Sequence, residues 1–153
     1  MSKAKTENRT VEELKGALKQ LNKYEVLMLR SLANILAIDN QGTGVIHNEL
    51  VESFLIHARI LIEFLYKNKT HEDTVRASQY FTSDIHWESI RPPKTKLLED
   101  TEQNAHEHLA HLTYTRLEEK KQWPCIKIAN DIETVLKVFH ENLSGDFTKD
   151  SNV

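Results

Sequence analysis

Glycine and proline are scarce in this sequence, at four and three among 153 residues. A fold of many short strands needs turn residues about every 8–12 positions, so this scarcity excludes a turn-dense all-β architecture and favours long helices. A single cysteine, Cys125, excludes an intrachain disulfide framework and a multi-cysteine zinc site. Neither sign of charge dominates: 20 Lys and Arg face 23 Asp and Glu, a net charge of −3. That excludes a generally basic, nucleic-acid-coating protein and leaves room for a local basic patch. Long apolar runs are missing too. The most apolar stretch, residues 54–66, is interrupted by His57, Arg59 and Glu63, and it is shorter than the roughly 20 residues that cross a bilayer. Residues 1–10 lack the apolar core of a signal peptide. The expectation is a cytoplasmic protein without membrane contact. What remains is ordinary for a globular domain, with 39% hydrophobic and 28% charged residues. A chain of this length buries enough surface to fold without metal or disulfide.

The order of elements follows from apolar spacing. Residues 1–10 read as a flexible arm, 11–143 as one helical-bundle domain and 144–153 as a flexible tail. Thr10-Val11-Glu12-Glu13 forms a capping box, in which hydroxyl and carboxylate each satisfy a free backbone N–H. Leu14, Leu18, Leu21, Met28, Leu32 and Ile35 then give one stripe over 11–37, with Glu25 in the missing heptad position. Turn formers at Asp39 to Gly44 end it. A second helix spans 46–68, with a wide apolar face centred on Leu50, Phe54, Ala58, Leu61 and Leu65. Such a face implies packing on several sides. Arg59 and Glu63 share its polar strip as helix neighbours. Residues 70–94 form a long connection, partly helical over 70–81 and 83–90, with Tyr80, Phe81, Ile85 and Trp87 as anchors. A third helix covers 95–121. A fourth covers 124–143, with Pro124 in its first turn and Ser144-Gly145 at its end. The fold class is all-α: a four-helix bundle with a long, partly helical connection between its second and third helices.

Three histidines crowd into His106-Glu107-His108-Leu109-Ala110-His111. A zinc protease needs histidines at i and i+4 with a glutamate between them. Here His106 and His111 are five apart, about 140° around the helix, so the pattern does not fit. His108 and His111 could share a face but lack further ligands, and neither a metal nor a cofactor is expected. Leu98, Ala105, Leu109 and Leu112 form the core face of this helix. Ala110, Tyr114 and Leu117 lie nearly opposite, flanked by His106 and His111. A second apolar face suggests a second partner, and Ala110, Tyr114 and Leu117 are the expected homodimer contact. Cys125 at a helix start reads as a packed residue before it reads as a reactive thiolate. His57 reads as a satisfied core histidine. Gly42-Thr43-Gly44 is too short for a phosphate loop.

The phrases Glu49-Leu50-Val51-Glu52-Ser53-Phe54-Leu55-Ile56-His57-Ala58-Arg59, then Asp84, Trp87 and Arg91-Pro92, then Ala110-His111-Leu112-Thr113-Tyr114-Thr115-Arg116, and finally Trp123-Pro124 together carry a resemblance. Over roughly residues 46–143 the chain resembles uncharacterised bacterial proteins related to the HEPN superfamily of small helical domains. The resemblance implies a four- or five-helix bundle, often dimeric. It also implies metal-independent ribonuclease activity of the kind found in toxin–antitoxin and phage-defence systems. The family motif is an Arg, four to six residues, then a His at the dimer interface. His111 matches the His, whereas the permitted Arg positions hold His106, Ala105 and Asn104. His111 is then the candidate general base and His106 a partial cation. Arg59 and Arg116 are the cations that the fold could bring near instead. The competing reading is a non-catalytic binding or dimerisation module, regulatory or antitoxin-like, that keeps the bundle. The partner would be RNA or a cognate protein.

Overall fold

A computed structural model describes residues 9–39, 42–67, 73–110, 114, 122–143 and 145–150 of the chain. Among them all regular structure is helical and no strand occurs. The first helix, α1 (Val11–Gln20), opens with the expected capping box: Thr10 Oγ1 accepts from the Glu13 N–H at 3.2 Å, and Glu13 Oε2 accepts from the Thr10 N–H at 2.8 Å. Leu14 and Leu18 turn inward.

The run over 11–37 is not one regular α-helix. Leu21–Val26 forms a π turn before α2 (Leu27–Ile38) continues. A π turn adds one residue to the helical repeat and re-aims the side chains that follow. Two polar residues of this turn find partners across the core: Asn22 lies 3.0 Å from His140 Nε2, and Glu25 lies 2.6 Å from His57 Nδ1.

The long helix α3 (Val45–Tyr66) follows Gly44, whose φ of 91° suits glycine and strains other residues. Eight of its residues are buried, among them Phe54, Ala58, Leu61 and Leu65. The wide apolar face thus does pack on several sides, against α2, α5 (Lys96–Ala110) and α6 (Cys125–Glu141). The far end of α3 is capped by the connection. Trp87 Nε1 and Arg91 Nη1 both donate to the Leu65 carbonyl, at 2.8 and 3.1 Å. This satisfies a carbonyl that the helix itself leaves free.

The connection holds a short 3-10 turn (Ala77–Tyr80) and α4 (Asp84–Ile90), whose cap Ser83 accepts from the His86 N–H. Tyr80, Phe81 and Trp87 anchor it in an aromatic cluster with Phe64 and Phe139; Phe81 stacks on Trp87 at 5.1 Å. Tyr80 also donates from its hydroxyl to the Leu14 carbonyl at 2.8 Å. Ile85, expected as a fourth anchor, is instead 76% exposed, because α4 turns that face outward. Within the segment read as a tail, Gly145–Asp150 forms a 3-10 turn, and the Phe147 ring meets Tyr80 at 5.1 Å.

Leu98, Thr101 and Ala105 are the buried face of α5. Residues 111–113 and 115–121, where the third helix is expected to continue, lie outside the described residues. Pro124 caps α6 from just outside its first turn. No described helix is long and apolar enough to cross a membrane.

Phe139 is fully buried at the centre of the aromatic cluster. Phe139→Ala should therefore cost about 3–5 kcal/mol in urea denaturation, whereas the exposed Ile85→Ala should stay within about 0.5 kcal/mol of the wild type.

Candidate functional site

Two residues that the sequence separates by 47 positions meet where α3 faces α5. Arg59 Nη1 lies 3.1 Å from His106 Nδ1. Arginine has no acceptor, so Nδ1 must accept, and the ring proton in this contact sits on Nε2. The guanidinium is held from behind, since its Nε donates to Glu63 Oε1 at 3.1 Å. Lys67 Nζ donates to the same oxygen at 2.9 Å. Arg59, Glu63 and Lys67 succeed one another at four-residue spacing and so share one strip of α3. Burial alone would raise the Glu63 carboxyl, but hydrogen bonds from Lys67 and Arg59 outweigh it and hold the group below its ordinary value. The carboxylate therefore stays charged and fixes the guanidinium against the imidazole.

The other expected site residues are distributed as follows. His111, Arg116 and Leu117 lie outside the described residues, as does the side chain of Ala110. Tyr114 is helical and 86% exposed. His106 is exposed and joined to Arg59, one of the two cations that the sequence left as spatial substitutes. Among the described residues no group of three potential ligands could hold a metal ion.

On the other side of α3 lies His57. Its Nδ1 meets Glu25 Oε2 at 2.6 Å, and the Tyr24 ring approaches it edge-on at 5.5 Å. It is buried and bonded, as a satisfied core histidine should be. Its Glu25 partner was visible in the sequence only as a polar residue in an apolar stripe.

Apolar periodicity does not reveal the cavity of about 1090 Å³ where the ends of α2 and α5 meet the starts of α3 and α6. His47, Glu52, His108, Trp123, Cys125 and Lys127 are among its walls. His108 meets Trp123 edge-on at 5.7 Å. Both its ring nitrogens are buried without a hydrogen-bond partner among the described residues. Burial pushes the Cys125 thiol up to about 11, so near neutral pH it is a protonated, packed side chain and not a nucleophile. Cys125 should accordingly resist a disulfide reagent at pH 7 in the folded protein and react promptly in 8 M urea. Stoichiometric labelling within minutes under native conditions would contradict that placement.

No protein-family model matches this chain, and neither a curated protein nor a solved structure matches it.

Proposed function

We propose that the chain is a HEPN-like four-helix bundle that cleaves RNA without metal, at the corner between α3 and α5. In this reading the four long helices are the run from α1 through α2, then α3, α5 and α6, with α4 as an end cap. The observation that carries the proposal is the 3.1 Å contact between Arg59 and His106. The motif that the sequence resembles needs a permanent cation beside a histidine, and none precedes His111 at the permitted spacing. Arg59 can supply that cation from a neighbouring helix.

The chemistry follows from the parts. A histidine takes the proton of a ribose 2′-hydroxyl, whose oxygen attacks the adjacent phosphorus. The bond to the 5′-oxygen breaks, that oxygen takes a proton from water, and a 2′,3′-cyclic phosphate remains. Charge builds on the non-bridging oxygens at the transition state, and a fixed guanidinium stabilises it. Arg59 takes this part and so relieves His106 of the role of weak cation. His106 orients the guanidinium, and His111 is the base. A homodimer through Ala110, Tyr114 and Leu117 would bring two such corners together. A toxin–antitoxin or defence setting fits such an activity.

A second reading is a non-catalytic binding module. Two observations favour it: Glu63 already neutralises Arg59, and the cavity beside Trp123 is large enough for a small ligand.

The readings separate on one labelled RNA. A nuclease of this design keeps its activity in EDTA, because the proposed step uses only side chains and water. Arg59→Ala should lower the rate about 10²–10³-fold, as loss of one transition-state donor does. His111→Ala should abolish cleavage, and Cys125→Ala should leave it unchanged. Absence of cleavage by the wild type across structured and unstructured RNAs supports the binding module. Activity that survives both Arg59→Ala and His111→Ala removes the site from consideration.

A further inference from the structure

Two helix starts differ from the others. Thr10, Ser83 and Thr95 cap α1, α4 and α5, each accepting a backbone N–H through its hydroxyl oxygen. The starts of α3 and α6 have no side-chain cap and no acidic residue in their first turns. Asn48 and Ile128 donate the first helical bonds, to the Gly44 and Pro124 carbonyls, and Cys125 donates to the Trp123 carbonyl. The helices therefore leave the N–H groups of Val45, Ile46 and His47, and of Ile126 and Lys127, without an intrahelical acceptor. Both starts open on the cavity of about 1090 Å³, whose wall includes His47 and Lys127.

Charge and shape select what fits there. An uncapped helix start is equivalent to about half a positive charge. Lys127 adds a full one in the first turn of α6, and Glu52 is the single carboxylate among the described wall residues. Asp39, outside the wall, lies 3.4 Å from His47 Nδ1. The two helix starts tip the balance to positive, which suits a ligand with one negative charge and not several. Leu36, Val51, Leu55, Leu109 and Trp123 give the same wall an apolar side. The volume stands at the upper end of the roughly 300–1,000 Å³ of small-molecule sites. His108 belongs to this wall too, and both its ring nitrogens are buried without a partner among the described residues. A buried imidazole without a partner is destabilising, and native proteins keep such a group for a reason. Its ring carries an N–H that a carboxylate accepts in a charge-assisted hydrogen bond.

We propose that the cavity binds a small carboxylate with an aromatic body. The carboxylate lies against the starts of α3 and α6 with Lys127, His108 turns its N–H toward it, and the ring lies against Trp123 and the leucines. This ligand class deepens the binding-module reading, on which it rests, and does not involve Arg59. Isothermal titration calorimetry of the full chain with 2-naphthoate tests it. One naphthoate should bind per chain. Its uncharged counterpart 2-naphthamide should bind at least about tenfold more weakly, as loss of a charge-assisted hydrogen bond requires. His108→Phe and Lys127→Glu should each weaken naphthoate about tenfold, whereas Arg59→Ala should leave it unchanged. His108→Phe should also unfold at no lower urea concentration than the wild type, since it removes an unpartnered group; a merely structural His108 would lower that midpoint. Should His108→Phe fail to fold, Lys127→Glu, at an exposed position, decides the matter. No binding of naphthoate at millimolar concentration, equal binding of naphthoate and naphthamide, or undiminished binding by the folded variants overturns the proposal. Equal binding leaves the binding-module reading standing without this ligand class, whereas RNA cleavage by the wild type removes that reading itself.

Discussion

The position of α3 is the constraint on which the other elements depend. Eight of its side chains are buried, and α2, α5 and α6 all pack on it. Each fully buried large apolar side chain contributes about 1.5–3 kcal/mol relative to exposure, so the rotation of this helix about its own axis is strongly determined. Its polar residues then have no freedom of direction. His57 and Arg59 are two residues apart, about 200° around the helix, and they leave α3 on opposite sides. One meets the π turn and the other meets α5. The structural pair and the candidate site are two consequences of one buried surface.

The two pairs differ in what they contribute. Arg59, Glu63 and Lys67 are each about a quarter to a third exposed in their side chains. Such partly solvated pairs contribute only about 0–1 kcal/mol to stability. The corner is therefore free to hold charge for a ligand without the fold relying on it. His57 and Glu25 are buried more deeply, at 8% and 16% exposure of their side chains. Removing one partner of a buried pair leaves an unsatisfied group and costs far more than the pair itself contributes. The π turn carries Glu25 into this pair and Asn22 into its contact with His140.

Much of the architecture was legible because it rests on local rules. The Thr10 and Glu13 cap, the stripe of α3, the burial of Trp87 and the core role of His57 follow from spacing and residue type. The π turn was not legible: Leu21 and Met28 keep a seven-residue step, and Glu25 between them reads as a heptad position. The buried residues step five from Leu21 to Val26 and continue at Leu29 and Leu36, so the seven-residue reading placed Ile35, which is 46% exposed, in the stripe by mistake. Ile85 misled because a short helix offers too few turns to say which side faces in. The meeting of Arg59 and His106 could not be read, since it depends on the register of two packed helices and not on any local pattern. The cavity, formed by the ends of four helices, has no periodicity at all.

If α3 is fixed in rotation by its apolar face and tied at its polar edge, Glu25 and His57 must be energetically coupled. A double-mutant cycle with Glu25→Ala, His57→Ala and the double variant, each unfolded in urea, measures this directly. A coupling of about 1–3 kcal/mol is expected, because either single loss strands a buried polar group that the double loss does not. Additivity of the two single losses within about 0.3–0.5 kcal/mol would contradict it.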